Sequence, residues 1–256
     1  MTSLRRLRSL PGRLMVGVLD WLPQGKFESL IAGLVNKRTS RLAPEEGLRF
    51  LFRLEAALYP LAGRLSQRYG KGVHVKHRLT RYHDFFIDRL DKGERVLEVG
   101  CGTGDLAQDA AFRTGCRVTA MEIDGTKIET AKARFADSPV EWRVGDATRD
   151  LPGGGFDVVI LSNVLEHLGG REAFLLRLAE STGAGRFLVR VPLFERDWRV
   201  PLKMELGVEW RLDPTHETEY TLELFAQEMA GAGLKVIHQE VRWGEIWAEV
   251  APAKVE

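Results

Sequence analysis

One seven-residue stretch, Glu98-Val-Gly-Cys-Gly-Thr-Gly104, limits what this chain can fold into more than any other. It follows an apolar run of strand length, 95–99, and precedes 105–113, where apolar residues recur at helical spacing. A strand that turns on glycine straight into a helix opens a βαβ unit, because glycine tolerates the tight turn and lets a ligand approach the backbone. The alternation continues downstream. Residues 117–122, 140–144, 156–161 and 186–191 read as strands, and 126–135, 171–180 and 222–232 as helices. Residues 234–241 and 245–251 read as a closing pair of strands. This pattern predicts an α/β fold, a doubly wound, mostly parallel seven-stranded sheet with helices on both faces.

The first third of the chain differs in character. Pro44-Glu45-Glu46 suits a helix start, since proline fits the first turn and acids fit the positive end of the dipole. Leu48, Leu51, Phe52, Leu58 and Leu65 keep helical spacing up to Gly70, and a second helix is expected from 74 to 90. We therefore expect a basic helical N-terminal extension over 1–72, and an α/β domain over 73–256 carrying an insertion at 191–220. Residues 1–90 hold 17 Lys and Arg against 7 Asp and Glu, a net of +10, while the remainder hold 20 against 29, a net of −9. A basic arm of this kind suits an anionic partner, and Leu14, Val18, Trp21 and Leu22 share one face of an interfacial segment. Peripheral contact with an anionic membrane is the expected use of that arm. A nucleic acid is the weaker expectation, because the pI of about 7.8 is not that of a nucleic-acid-binding domain. No run of about 20 apolar residues predicts a membrane span. Two cysteines, Cys101 and Cys116, give no disulfide framework, so a reducing cytoplasm is the expected location.

The chemistry of the glycine loop follows from its neighbours. A dinucleotide loop spaces its glycines G-x-G-x-x-G so that a pyrophosphate meets the helix N-terminus. Here the spacing is G-x-G-x-G, and Glu98 stands two residues before the first glycine. A carboxylate there opposes a pyrophosphate and suits a cationic ammonium or sulfonium group. Glu122 ends the second strand, where a carboxylate can accept hydrogen bonds from a ribose diol. Asp146 follows the third strand in Val-Gly-Asp-Ala-Thr, and Asn163 to Leu168 follow the fourth.

In this order and spacing, the four elements resemble the class I S-adenosylmethionine (SAM)-dependent methyltransferases, over about residues 78–251. The resemblance implies a Rossmann-like fold with SAM as cofactor. It implies that Gly100, Cys101, Gly102 and Gly104 shape the methionine pocket and that Glu98 orders the loop beside the amino group. It also implies that Glu122 and Ile123 hold the ribose, that Asp146 and Ala147 meet the adenine, and that Asn163 borders the cofactor.

Methylating a hydroxyl requires removing its proton, which a bound cation or a positioned base can promote. The Glu166-His167-Leu168 ending resembles small-molecule O- and C-methyltransferases, including those acting on quinone precursors. More narrowly, Glu166, His167 and the later His216 match the ligands by which small-RNA 2′-O-methyltransferases bind a divalent cation. Asn163 stands where that family has a further glutamate. Glu166, His167 and His216 are thus the expected catalytic residues, and a candidate site for Mg²⁺, Mn²⁺ or Zn²⁺. Without a metal, His167 or His216 could serve as the base. The insertion at 191–220 interleaves Phe194, Trp198 and Trp210 with arginines and is the expected substrate lid. Arg78, Tyr82 and His83 precede the first strand, where a helix would close over the cofactor. The expected acceptor is a small molecule or glycan, with methylation of a sugar, glycan or lipid-linked hydroxyl foremost.

Overall fold

The computed structural model describes Gly17 and residues 21–253. Arg5, Arg6, Arg8, Leu14 and Val18 of the basic and interfacial segment lie outside the described residues. The chain divides into two compact units, 1–58 and 59–256. The first contains α1 (Gln24–Thr39) and the start of α2 (Pro44–Tyr69). α2 begins at the expected proline, carries Glu45 and Glu46 in its first turn, and runs through Pro60. Proline has no N–H, so the carbonyl of Ala56 loses its intrahelical donor.

The second unit opens with α3 (Val75–Thr80) and α4 (Tyr82–Ile87). The single helix expected over 74–90 is therefore two, parted at Arg81, whose φ is +49°. A left-handed residue costs roughly 1–2 kcal/mol. Full burial of Phe85 and Phe86 behind the break offsets that, since each large apolar side chain contributes about 1.5–3 kcal/mol.

Seven strands follow: β1 (Arg95–Val99), β2 (Arg117–Glu122), β3 (Glu141–Val144), β4 (Val158–Ser162), β5 (Arg186–Pro192), β6 (Leu234–Arg242) and β7 (Glu245–Pro252). Their order is β3-β2-β1-β4-β5-β7-β6. β1 to β5 pair in parallel, while β7 runs antiparallel to both β5 and β6. Connecting helices are α5 (Asp105–Thr114), α6 (Gly125–Arg134), α7 (Arg171–Thr182), α8 (Arg199–Glu205) and α9 (Leu222–Gly231). This is the doubly wound architecture the strand-helix alternation implied.

Two apolar layers cover the sheet. Leu97, Val99, Val159 and Leu161 join Phe174, Leu178 and Phe225 in one, and Val96, Ala120 and Ile160 join Phe86, Leu106 and Trp247 in the other. The chain leaves β1 toward β2 on one side and reaches β4 on the other. Open parallel sheets bind ligands at the carboxyl ends of the strands where the order reverses in this way.

Candidate active site

A cavity of about 380 Å³ lies at that reversal, lined by the ends of β1, β2 and β4 and the loops that follow them. Its floor is the glycine turn. Gly100 has φ +71°, and a Cβ there would stand 2.7 Å from Cγ2 of Val164. Gly104 has φ +83°, and its Cβ would meet the Trp142 ring at 2.4 Å. Only glycine satisfies both the backbone angle and the space at these two positions.

Glu122 is buried and connects the second strand to the loop. Its Oε2 accepts the backbone N–H of Gly102 at 2.9 Å, and its Oε1 accepts that of Asp124 at 3.2 Å, with Lys127 Nζ 3.7 Å away. Asp146 accepts both the N–H and the hydroxyl of Thr148, at 2.9 and 2.7 Å, and these bonds hold its carboxyl below the usual range. Gly100, Gly102, Glu122, Ile123, Asp146, Ala147, Asn163 and His167 all line the one cavity.

Glu98, Cys101 and Gly104 are not on its wall. Glu98 lies across the sheet from it, in register with Ala120 and Ile160. There its Oε2 is buried without a hydrogen-bond partner. Burial, with Asp105 and Glu122 nearby, pushes its carboxyl up to about 8. Cys101 is buried among apolar residues, which raises its thiol well above the ordinary value. Val99, Met121, Lys127, Gly145, Thr148, Val164, Leu168 and Phe174 complete the wall; Val99, Gly145, Thr148, Val164 and Leu168 sit within the motifs, whereas nothing in the motif spacing singles out Met121 or Phe174. Apolar residues at strand ends look like core in a sequence. Lys127, by contrast, was findable as the residue three beyond the Asp124 cap of α6.

Beside the cavity, Glu166, His167 and His216 each present a ligand atom, all within 4.8 Å of one another. The two imidazoles meet edge to face with ring centroids 4.6 Å apart. The 50 intervening residues are spanned by main-chain bonds, because the N–H groups of Glu217 and Thr218 both donate to the Glu166 carbonyl, at 2.7 and 3.3 Å. Glu166 is fully buried, and neither carboxylate oxygen has a partner. Desolvation pushes its carboxyl up to about 7. Partial burial first, and then His216, lowers the His167 imidazole from its ordinary value. Its Nδ1 lies 3.0 Å from the Thr215 hydroxyl, and Nδ1 of His216 lies 3.3 Å from Glu219. Asn163 takes φ +57°, a conformation asparagine tolerates, and its buried Oδ1 has no partner.

The 191–220 insertion is anchored to this group through Glu219, which is buried and receives Arg196, the N–H of Leu212 and His216. Arg196 also donates to the carbonyl of Trp210 at 2.8 Å, and Trp198 stands exposed. On the other flank, the guanidinium of Arg190 lies 4.4 Å from the Tyr82 ring centroid and is held by a bidentate, buried pair with Glu245 at 2.9 and 3.0 Å. His83 bonds Asp109 at 2.7 Å, and Arg78 is exposed.

A family profile described as a methyltransferase domain matches residues 72–239. An uncharacterized methyltransferase of Mycobacterium tuberculosis is 42% identical over 84 residues, 32% of this chain and 42% of that protein. The chain thus spans less than half the length of this relative. A ubiquinone biosynthesis O-methyltransferase of Chromobacterium violaceum is 30% identical over 176 residues, 63% of this chain and 75% of that protein. Magnesium protoporphyrin IX methyltransferase from Synechocystis, solved with bound SAH, matches with a TM-score of 0.56 at 17% identity, over 72% of this chain and 86% of that one. At that identity the likeness is one of fold.

Proposed function

Because the chain belongs to the SAM-dependent methyltransferase family, we propose that it transfers the SAM methyl group to a hydroxyl of a sugar, glycan or lipid-linked small molecule. One observation carries this reading: Glu166, His167 and His216 converge beside the cavity, and the buried Glu166 carboxylate has no partner. A transfer to oxygen needs machinery to remove a proton, and this group is the one suited to it among the described residues.

In this reading SAM occupies the 380 Å³ cavity, with the methionine end over Gly100 and Gly102, the ribose on Glu122 and Ile123, and the adenine beside Asp146 and Ala147. The three-residue group also fits a divalent cation. Two unpaired carboxylate oxygens in a buried site are costly alone and favourable beside a cation. Thr215 and Glu219 engage Nδ1 of His167 and His216, which leaves the other ring nitrogen of each for a ligand and fixes its orientation. When bound there, Mg²⁺, Mn²⁺ or Zn²⁺ would lower the pKa of an acceptor hydroxyl. Without a cation, His167 faces the cavity and is positioned to accept the proton itself.

A quinol-type aromatic hydroxyl is the second reading, favoured by the 30% identity to a ubiquinone biosynthesis O-methyltransferase. Methyl transfer from labelled SAM to a panel of methyl glycosides and quinols tests both. We expect an O-methyl product, formation that EDTA abolishes and Mn²⁺ restores, and a kcat lowered about 10²–10⁴-fold in His216→Ala. Unchanged turnover in EDTA removes the cation. A product methylated only on nitrogen or carbon removes the hydroxyl reading.

A further inference from the structure

A second cavity, of about 540 Å³, borders the glycine loop at Thr103 and Asp105. No residue lines both it and the cavity at the strand reversal. Its remaining walls come from the last turns of α2, the turn that follows, α3, and Arg134 at the end of α6, all within the second compact unit. A concavity of this volume is of the size that holds small molecules.

Its charge has one sign once the pairs inside it are counted. Among the described residues Asp105 is the one acid on the wall, and Arg134 holds its carboxylate with two bonds, at 2.8 and 2.6 Å. Lys71 and Lys76 are left over. Lys71 makes no ion pair among the described residues. Lys76 stands 4.0 Å from Glu245, which Arg190 already holds at 2.9 and 3.0 Å. Two ammonium groups therefore line one concavity without a carboxylate of their own, and such a concavity gathers anions.

The imidazoles on the wall add a donor and no charge. His74 accepts the backbone N–H of Lys76 at Nδ1, at 3.1 Å, so its proton sits on Nε2, which has no partner among the described residues. Burial first, then His83 and Lys76, lower the His77 imidazole to about 4, which keeps it uncharged at pH 7. The turn between the helices brings these groups together: Lys71 has φ +55°, which lysine adopts rarely, and Gly72 has φ +101°. Tyr59 adds an exposed ring to the same wall. A phosphate presents several strong acceptor oxygens to such a set of N–H donors, where a carboxylate presents two.

We propose that this second cavity binds a phosphate group, held by Lys71, Lys76 and the Nε2–H of His74, with the Tyr59 ring beside the organic part of a phosphate monoester. The site is independent of the methyl acceptor and of the cavity assigned to SAM.

Calorimetric titration of the full chain with glucose 1-phosphate, inorganic phosphate and glucose tests it. We expect both phosphates to bind, glucose not to bind, and about tenfold higher salt to weaken binding, because exposed charges are screened. Either order of the two phosphates supports the site: tighter glucose 1-phosphate assigns it to an organic phosphate, tighter inorganic phosphate to the free ion. Lys71→Gln/Lys76→Gln should bind at least about tenfold more weakly, and Lys235→Gln, whose lysine lies outside the cavity, should bind as the wild type does. Far-UV circular dichroism and urea midpoints like those of the wild type confirm that the variants are folded, and SAM titrated into the double variant should give the wild-type result. The proposal is overturned by a wild type that binds neither phosphate, by glucose binding as well as its phosphate, or by a folded double variant that binds phosphate as the wild type does. Equal weakening by Lys235→Gln, or loss of SAM affinity in parallel with phosphate affinity, overturns it too.

Discussion

Glu98 and Val99 are neighbours in β1, yet only Val99 reaches the cavity. Strand alternation sends Glu98 to the layer of Val96, Phe86 and Leu106, where it is held largely uncharged at neutral pH. A carboxyl raised from 4.5 to about 8 favours the fold while it keeps its proton. That contribution is complete below about pH 4.5 and is lost as the pH rises through about 8. Wild-type urea midpoints should therefore fall between about pH 5 and pH 9, and Glu98→Gln, which cannot ionise, should lose less over the same window. Parallel curves for the two proteins would contradict the assignment. Glu122 and Asp146 were legible in sequence because each ends or directly follows a strand. The seclusion of Glu98 was not, because motif spacing does not state which face of a strand carries the side chain. His216 was legible only through resemblance, since its approach to Glu166 depends on 50 intervening residues, α7 and β5 among them, folding back.

The glycine turn is where local conformation and packing are most tightly joined. Gly104→Ala would place a methyl 2.4 Å from the Trp142 ring with φ at +83°. The left-handed backbone and the overpacking together should cost about 2–4 kcal/mol, read as a drop in the urea-extrapolated unfolding free energy. A loss under about 0.5 kcal/mol would mean that the turn is looser than described. Helix α2 was readable from Pro44 to Gly70 because its start, its periodicity and its end all agree. The break at Arg81 was not, because nothing in His77 to Phe86 signals a left-handed residue. Burial of Phe85 and Phe86 decides it, and that is a tertiary effect.

The strand order places the carboxyl ends of β1, β2 and β4 side by side, which is why acids far apart in sequence share one cavity. Strand-helix alternation makes that architecture legible in the amino-acid sequence. The central claim is that this cavity holds SAM with Glu122 as an anchor. Calorimetric titration of SAM into the wild type and into Glu122→Ala tests it most directly. Hydrogen bonds to a charged group contribute about 1.5–3 kcal/mol, so the variant should bind at least about tenfold more weakly, and NAD should give no binding to either. Absence of SAM binding to the wild type, or equal affinity in the two proteins, would contradict the account.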